Sequence, residues 1–372
     1  MTSNVKGMSM KKKPNTRIYI CHTYYHAYVS FLKELALPKE QQGTAHIMLS
    51  KMSNNFETLG NRVLKTGLFA KVYEFDEKRE DFFPELLKYK KDRGNIVLNM
   101  FSRIIFCKKF SKAQEPFVPV DLKSYEDVYV YCDCDPIGYY LSGHKIYYHS
   151  VEDGLDTLKP FVPAVYDNRG ALKLKLFMSD KLNLIFIRDG FNKYCLDMEV
   201  NDISVIGYPC KKYKEVPRRD LFNRLTRDDK DILLRAFVDN LDDLKARIQT
   251  LDKSKDNILI LTDPLCDLAT RKRIFTDLYE EYSKEGNVFF KPHPRDELDY
   301  EKEFPNVPQF KKTVPMEILN FFDDAHFKKV VGVFTNMGGI NFADEKISLG
   351  ADFMDKYEDP EIHRQVEKCK GV

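Results

Sequence analysis

Short runs of β-branched and aromatic residues alternate along this chain with stretches whose apolar positions recur every three or four residues. That is the pattern of strands alternating with amphipathic helices. Arg17–Cys21 reads as the first strand, and Val29, Leu32 and Leu35 then fall at helical spacing. Strands are expected at His46–Ser50 and Lys71–Phe75, with a helix near Asn55–Thr66 between them. A long helical stretch follows from about Glu85 to Lys109, interrupted at Gly94. Further strands are predicted at Asp127–Cys132, Lys145–His149 and Asp202–Tyr208, with a short turn or helix through Ile137 to Leu141. Beyond the charged segment Lys211–Arg227, one amphipathic helix is expected from Asp228 to about Ile248, with Ile232, Leu233, Phe237, Leu241 and Leu244 on a single face. A second series then begins: a strand at Asp256–Thr262, a helix over about Thr270–Ser283, a strand from Asn287, a short helix at Pro315–Phe322 and a strand at Lys328–Phe334. A last helix is expected over Pro360–Lys370. Regular alternation of this kind predicts parallel βαβ units, hence an α/β protein.

The length of 372 residues changes that picture from one domain to two, because single cores stop growing at about 250–300 residues. The expected division is a flexible start over 1–16, a domain over 17–210, a second over 211–358 and a terminal helix over 359–372. Charge narrows the partners: 59 Lys plus Arg nearly cancel 57 Asp plus Glu, so no overall field recruits nucleic acid. Eight cysteines are scattered, and only Cys132 and Cys134 lie close together, too close for an easy disulfide or half of a usual zinc knuckle. Reduced thiols, a polar basic start and the lack of any long apolar run point to cytoplasmic residence, with membrane contact at most peripheral at the inner face. The cluster Lys11–Lys13 reads as a solvated start.

Candidate chemistry gathers where strands end. Pro292 and Pro294 forbid both ladder bonds and a helix, so the strand from Asn287 stops and delivers Lys291, His293 and Arg295 at its carboxyl end. In open α/β sheets ligands bind there, and such cations suit an anion, most simply a phosphate. A surface turn with stray basic residues is the plain alternative. After the first strand, Thr23 is placed to cap a helix whose free N–H groups suit an anion or sugar hydroxyl, while His22 and His26 contact a sugar or merely finish the turn. Glu152 and Asp153 precede Gly154, and in extended geometry they point to opposite sides, one toward a cleft and one anchoring the loop. Asp263 ends another strand. Thr335 and Asn336, followed by Gly338 and Gly339, introduce a helix start that offers N–H groups to phosphate. Asp133–Cys134–Asp135 has the form of a divalent-cation motif. Acceptor recognition is expected in the irregular stretch 155–200.

The ordered set His22–His26, Glu152–Asp153–Gly154, Lys291–Pro292–His293–Pro294 and Phe334–Thr335–Asn336 resembles the bacterial sialyltransferases that share an acidic-pair-glycine motif, an H-P motif and a later Ser/Thr motif. It looks most like glycosyltransferase family 52 and its capsule-associated relatives. That resemblance implies a GT-B architecture, two Rossmann-like domains facing across a cleft, with the nucleotide sugar held mainly by the C-terminal one. It also implies no cofactor and no metal. The reaction implied is a single inverting displacement from a CMP-activated sugar to a glycan or glycolipid acceptor. Asp153, or Glu152, takes the acceptor proton, and His293 serves the leaving phosphate. Lys291, Pro294, Arg295, Thr335 and Asn336 surround that phosphate, Thr23 and His26 contact sugar, and Asp263 is a reserve base. Transfer of sialic acid in surface-polysaccharide or lipooligosaccharide synthesis is the leading expectation. A CDP-glycerol or polyol-phosphate transferase, a Kdo transferase and a non-catalytic nucleotide- or glycan-binding protein are the alternatives.

Overall fold

The structure is a computed structural model; it describes residues 16–52, 55–131, 133–154, 171–208, 210–323 and 325–362. The chain divides into two compact units, Met1–Leu225 and Thr226–Val372.

The first unit runs β1 (Arg17–Cys21), α1 (Tyr24–Leu35), β2 (Ala45–Ser50), α2 (Leu59–Lys65), β3 (Phe69–Phe75), α3 (Pro84–Leu87), α4 (Ile96–Ala113) and β4 (Asp127–Tyr131). It continues through α5 (Pro136–Gly143), β5 (Tyr148–Val151), α6 (Leu172–Asp180), β6 (Cys195–Val200), β7 (Tyr213–Glu215) and α7 (Arg218–Phe222). Its strands pair in parallel in the order β3-β2-β1-β4-β5-β6-β7, the Rossmann arrangement extended by one edge strand. β1 lies inside the sheet between β2 and β4 and is buried along its whole length, which is why it reads as a largely apolar run. Arg17 is buried with it, because Glu34 of α1 receives its guanidinium at 2.7 and 3.0 Å and also accepts from Tyr19 Oη at 2.7 Å. Ile18, Ile20, Val128, Val130, Ile137 and Leu141 form the core between sheet and helices.

The second unit contains α8 (Arg227–Phe237), α9 (Leu241–Gln249), β8 (Asp256–Leu261), α10 (Leu268–Tyr282), β9 (Gly286–Lys291), α11 (Tyr300–Glu303), β10 (Phe327–Gly332), β11 (Ala343–Ser348) and α12 (Gly350–Met354). Four parallel strands take the order β11-β10-β8-β9. Ile258, Ile260, Phe275, Phe290 and Val331 share its core. Both units are thus α/β with parallel sheets, the class expected from the alternating pattern.

Several expectations need correction. The strand predicted at Asp202–Tyr208 lies one element earlier, in β6; the Asp202 carboxylate accepts from Ser204 N–H at 2.8 Å and turns Ile203–Val205 into a 3-10 helix. The segment placed with the second domain from residue 211 belongs to the first unit, since β7 pairs with β6. The helical stretch expected from Glu85 is interrupted, as anticipated, at Gly94, whose φ is +70°, with α3 before it ending already at Leu87 and α4 after it. The helix from Asp228 breaks at Val238, extended at φ −101° and ψ 93°, into α8 and α9. Thr335–Ile340 starts no helix; the chain crosses directly into β11. The terminal helix expected over Pro360–Lys370 falls largely outside the described residues, as do Lys11–Lys13 and Cys132.

Candidate active site

In the first unit the chain leaves the centre of the sheet in opposite directions from β1 and β4, and the crevice at their carboxyl ends is the place where such folds hold ligands. His22 follows β1, and Asp133 to Asp135 follow β4. The His22 imidazole lies 2.7 Å from Glu77 Oε1 and 3.6 Å from Asp135 Oδ2. Burial works against its positive charge, but Glu77 and Asp135 outweigh it and raise its pKa to about 9, so His22 is an imidazolium at neutral pH. Glu77 also accepts from Ser50 Oγ at 2.7 Å and from Ile137 N–H at 2.8 Å, tying the ends of β1 and β2 to the start of α5. Nothing in the sequence pattern singled out Glu77; its one signal was a carboxylate two residues past a strand end.

His26 stands one turn further on. Thr23 caps α1, its hydroxyl accepting from His26 N–H at 3.1 Å. The imidazole stacks on Tyr131 with centroids 4.8 Å apart. Its Nδ1 accepts from the His22 backbone N–H at 3.0 Å, so a single proton sits on Nε2, which makes a short hydrogen bond to Asp153. Burial holds the His26 pKa below its ordinary value despite that carboxylate. The neutral ring therefore donates to Asp153, whose side chain is 36% exposed. Glu152 turns the other way: it is 2% exposed and takes the Asn201 backbone N–H, while burial raises its pKa. The adjacent carboxylates divide between site and anchor as extended geometry requires.

Asp133 and Asp135 also part company. Asp133 is fully buried and accepts from Tyr148 Oη and Asp189 N–H, each at 2.9 Å, whereas Asp135 faces His22. Gly138 is needed for this fit, since a Cβ there would lie 1.8 Å from the Asp133 carbonyl oxygen. Among the described residues no group of three or more His, Cys, Asp or Glu side chains is arranged to hold a metal ion. Of the stretch assigned to acceptor recognition, 155–170 lies outside the described residues.

In the second unit the corresponding crevice lies between β8 and β10. Asp263, after β8, accepts from Thr335 Oγ1 at 2.9 Å and from Phe334 N–H at 3.1 Å. The Thr335 hydroxyl proton, expected to serve a phosphate, is directed here to a carboxylate of the same unit. Asn336 is exposed, and its Oδ1 accepts from Gly338 N–H at 2.9 Å, so the amide NH2 is the group able to donate to an anion.

The Lys291–Arg295 stretch also differs from expectation. Lys291 is 3% exposed, and its ammonium donates to the carbonyls of Pro292 at 2.8 Å and Lys312 at 3.3 Å. Burial lowers its pKa to about 7, with Glu317 opposing. It is an internal brace rather than a surface cation. Pro294 and Arg295 are exposed, and His293 is half-buried. His293 Nδ1 accepts from Arg295 N–H at 3.1 Å, which puts its proton on Nε2; burial, with Arg295 next, lowers its pKa. The turn is fixed from beneath by Asp296, which sequence reasoning missed. Its buried carboxylate accepts from Arg271 Nη1 and Thr262 Oγ1, each at 2.8 Å, and from Tyr300 Oη at 2.9 Å. Thr262 Oγ1 in turn accepts from His293 N–H at 3.1 Å.

Two parallel α/β units, each gathering polar side chains at strand carboxyl ends, define a protein of the Rossmann-like two-domain class. The sequence assigns it more narrowly: the model of glycosyltransferase family 52 matches residues 43–347, and the chain belongs to that family. The match includes the motifs at Glu152, Lys291 and Thr335, and the His22–His26 loop precedes it. An uncharacterized protein of Haemophilus influenzae is 27% identical over 144 residues, 37% of this chain and 44% of that protein, so the chain spans less than half of that relative's length. Among solved structures, an α/β-galactoside α-2,3-sialyltransferase of Photobacterium phosphoreum aligns at 14% identity over 90% of both chains, with a TM-score of 0.48. A UDP-GlcNAc 2-epimerase of Neisseria meningitidis aligns at 13% identity over 87% of this chain and 78% of its own, with a TM-score of 0.41.

Proposed function

We propose that the protein is an inverting glycosyltransferase that moves sialic acid from CMP-sialic acid to a sugar hydroxyl of a glycan or glycolipid, in bacterial surface-polysaccharide or lipooligosaccharide synthesis. The observation that carries this reading is the family match, which runs through the motifs that hold Asp153 and His293. Asp153 is the base. Partly exposed and held by His26, it takes the acceptor proton as the hydroxyl oxygen bonds to the anomeric carbon. The bond from that carbon to the phosphate oxygen breaks, its electron pair stays on CMP, and His293 Nε2–H hydrogen-bonds the departing oxygen. Arg295 and the Asn336 amide add charge and a donor, and Thr23 and His26 order the loop beside the base. Asp263 is the weaker candidate for base because Thr335 and Phe334 already occupy its oxygens. No cofactor or metal takes part in this scheme. Cytoplasmic residence with peripheral membrane contact belongs to the same proposal; among the described residues no helix is long and apolar enough to cross a membrane.

A donor panel tests the reading. With a galactoside acceptor, CMP should be released from CMP-sialic acid and not from CMP-Kdo, and CDP-glycerol should stay intact. Turnover of CDP-glycerol alone would replace the sialyl reading with the polyol-phosphate one, and binding of CMP without any turnover would favour a non-catalytic binder.

A further inference from the structure

The helix α4 carries apolar side chains on two faces. Phe106 and Phe110, four residues apart, turn inward and are buried. Val97, Leu98, Phe101 and Ile105 recur at helical spacing on the other face and are exposed, Phe101 to 62% and Val97 and Leu98 to more than half. They cover about 12 Å of helix. Lys108, Lys109 and Lys112 continue that face toward the carboxyl end and are exposed as well. α4 contains no Asp or Glu. The carboxylates that flank it turn to partners of their own unit: Asp92 accepts from Gly94 N–H at 2.7 Å and from Asn99 Nδ2 at 2.9 Å, and Glu115 lies 2.9 Å from His144. α6 and α4 share one apolar cluster, to which the former gives Met178 and the latter Met100, Ile104 and Cys107. On α6, Leu174 and Phe177 are each 52% exposed, beside the exposed Lys173.

Single exposed apolar residues are ordinary, whereas a contiguous band of them marks a contact surface. The chemistry of this band selects the contact. An apolar stripe continued along the axis by lysines matches the edge of an anionic bilayer, where aliphatic and aromatic side chains enter the acyl boundary and ammonium groups stay among the headgroup phosphates. Lysine stems are long enough to reach that level. A second copy of the chain fits less well. Two α4 helices laid antiparallel and centred between Phe101 and Ile105 would press Lys108 and Lys109 of each onto Leu98 and Val97 of the other, setting charge against hydrocarbon. Laid in parallel, lysines would face lysines.

We infer that the outer face of α4, extended by Leu174 and Phe177 of α6, docks the first unit on an anionic membrane surface. The peripheral contact proposed above thereby gains a definite surface, and the inference rests on that reading only for its purpose, access to a glycolipid acceptor. Co-sedimentation of the full chain with vesicles tests it. Vesicles of equal parts phosphatidylethanolamine and phosphatidylglycerol should hold the protein at least about tenfold more strongly than phosphatidylcholine vesicles, and the difference should shrink as salt is raised. Replacing Lys108, Lys109 and Lys112 together by Gln should remove most of that preference. Phe101→Ser combined with Ile105→Ser should abolish most of the binding to anionic vesicles, with the thermal midpoint barely moved because both side chains are exposed. The chain has no tryptophan, so Phe101→Trp introduces a single reporter. Its emission should shift to the blue on anionic vesicles.

No binding to anionic vesicles, equal binding to both vesicle types, wild-type binding in both combined variants or an unshifted Phe101→Trp emission each overturns the inference. So does a dimer in sedimentation velocity that Phe101→Ser with Ile105→Ser dissolves while vesicle binding is absent, which assigns the face to a second copy. Docking and transfer separate cleanly, since the variants should keep full turnover of a soluble galactoside. If no donor supports transfer while vesicle binding and its loss in the variants persist, the sialyl-transfer reading fails and the docking face stands.

Discussion

The two units solve the same topological problem in opposite ways. Each brings acidic residues to the point where its sheet's connections diverge. In the second unit that point is closed, since Asp263 is capped by Thr335 and Phe334, and Asp296 is saturated by Arg271, Thr262 and Tyr300. What remains accessible there is a neutral imidazole with a fixed proton on Nε2, beside Arg295. In the first unit the buried pair His22 and Glu77 is closed on itself, and Asp153 stands partly exposed on His26. One unit thus presents a proton acceptor and the other a donor, even though both began from strand-end carboxylates. Whether a carboxylate acts as base or as scaffold depends on how many donors its own unit has already aimed at it.

The sharpest way to break this contrast is Asp153→Asn. Turnover should fall by about 10²–10⁴-fold, the usual worth of a positioned base, while donor affinity measured by calorimetry stays the same. Undiminished turnover would move the base to Glu152 or Asp263. Next comes Asp296→Ala, which leaves Arg271 buried and uncompensated. The second unit should lose about 3–5 kcal/mol in chemical denaturation, and a loss under about 1 kcal/mol would show that the turn does not depend on the pair. A smaller effect is expected from His293→Ala: turnover should drop at least about tenfold with the thermal midpoint barely moved. A large stability loss with unchanged turnover per folded molecule would make His293 a packing residue.

The smallest effect concerns pH. The His22 pKa is raised to about 9 in the folded state, above an ordinary value of about 6.5. Its contribution to stability is therefore complete below that ordinary value and is lost as pH rises through the folded one. Melting curves of the wild type should shift downward across that alkaline window. Glu77→Gln should flatten the shift, and an equal slope in both proteins would separate His22 from Glu77.

Much of the scaffold was legible because buried parallel strands write themselves as apolar runs, as β1, β8 and β9 do. β6 and β11 escaped for the opposite reason. β6 interleaves Asp197 and Glu199 with its apolar residues, and these meet His149 and Lys33 rather than solvent. β11 is an edge strand with a largely exposed polar face. The site was legible in part. Asp153 and His293 were marked by strand-end placement, but the residues that fix them are distant in sequence: His26 reaches Asp153 across 127 positions, and Thr262 supports His293 from 31 away. The burial of Lys291 was not visible in a motif that reads as a row of cations, because direction along a strand end is set by packing rather than by residue type.

A structure with CMP bound tests the division of roles most directly. His293 Nε2 is expected within about 3 Å of a phosphate oxygen, with Lys291 still on its carbonyls and Thr335 still donating to Asp263. A phosphate seated on Thr335, with Asp263 displaced and His293 remote, would contradict it.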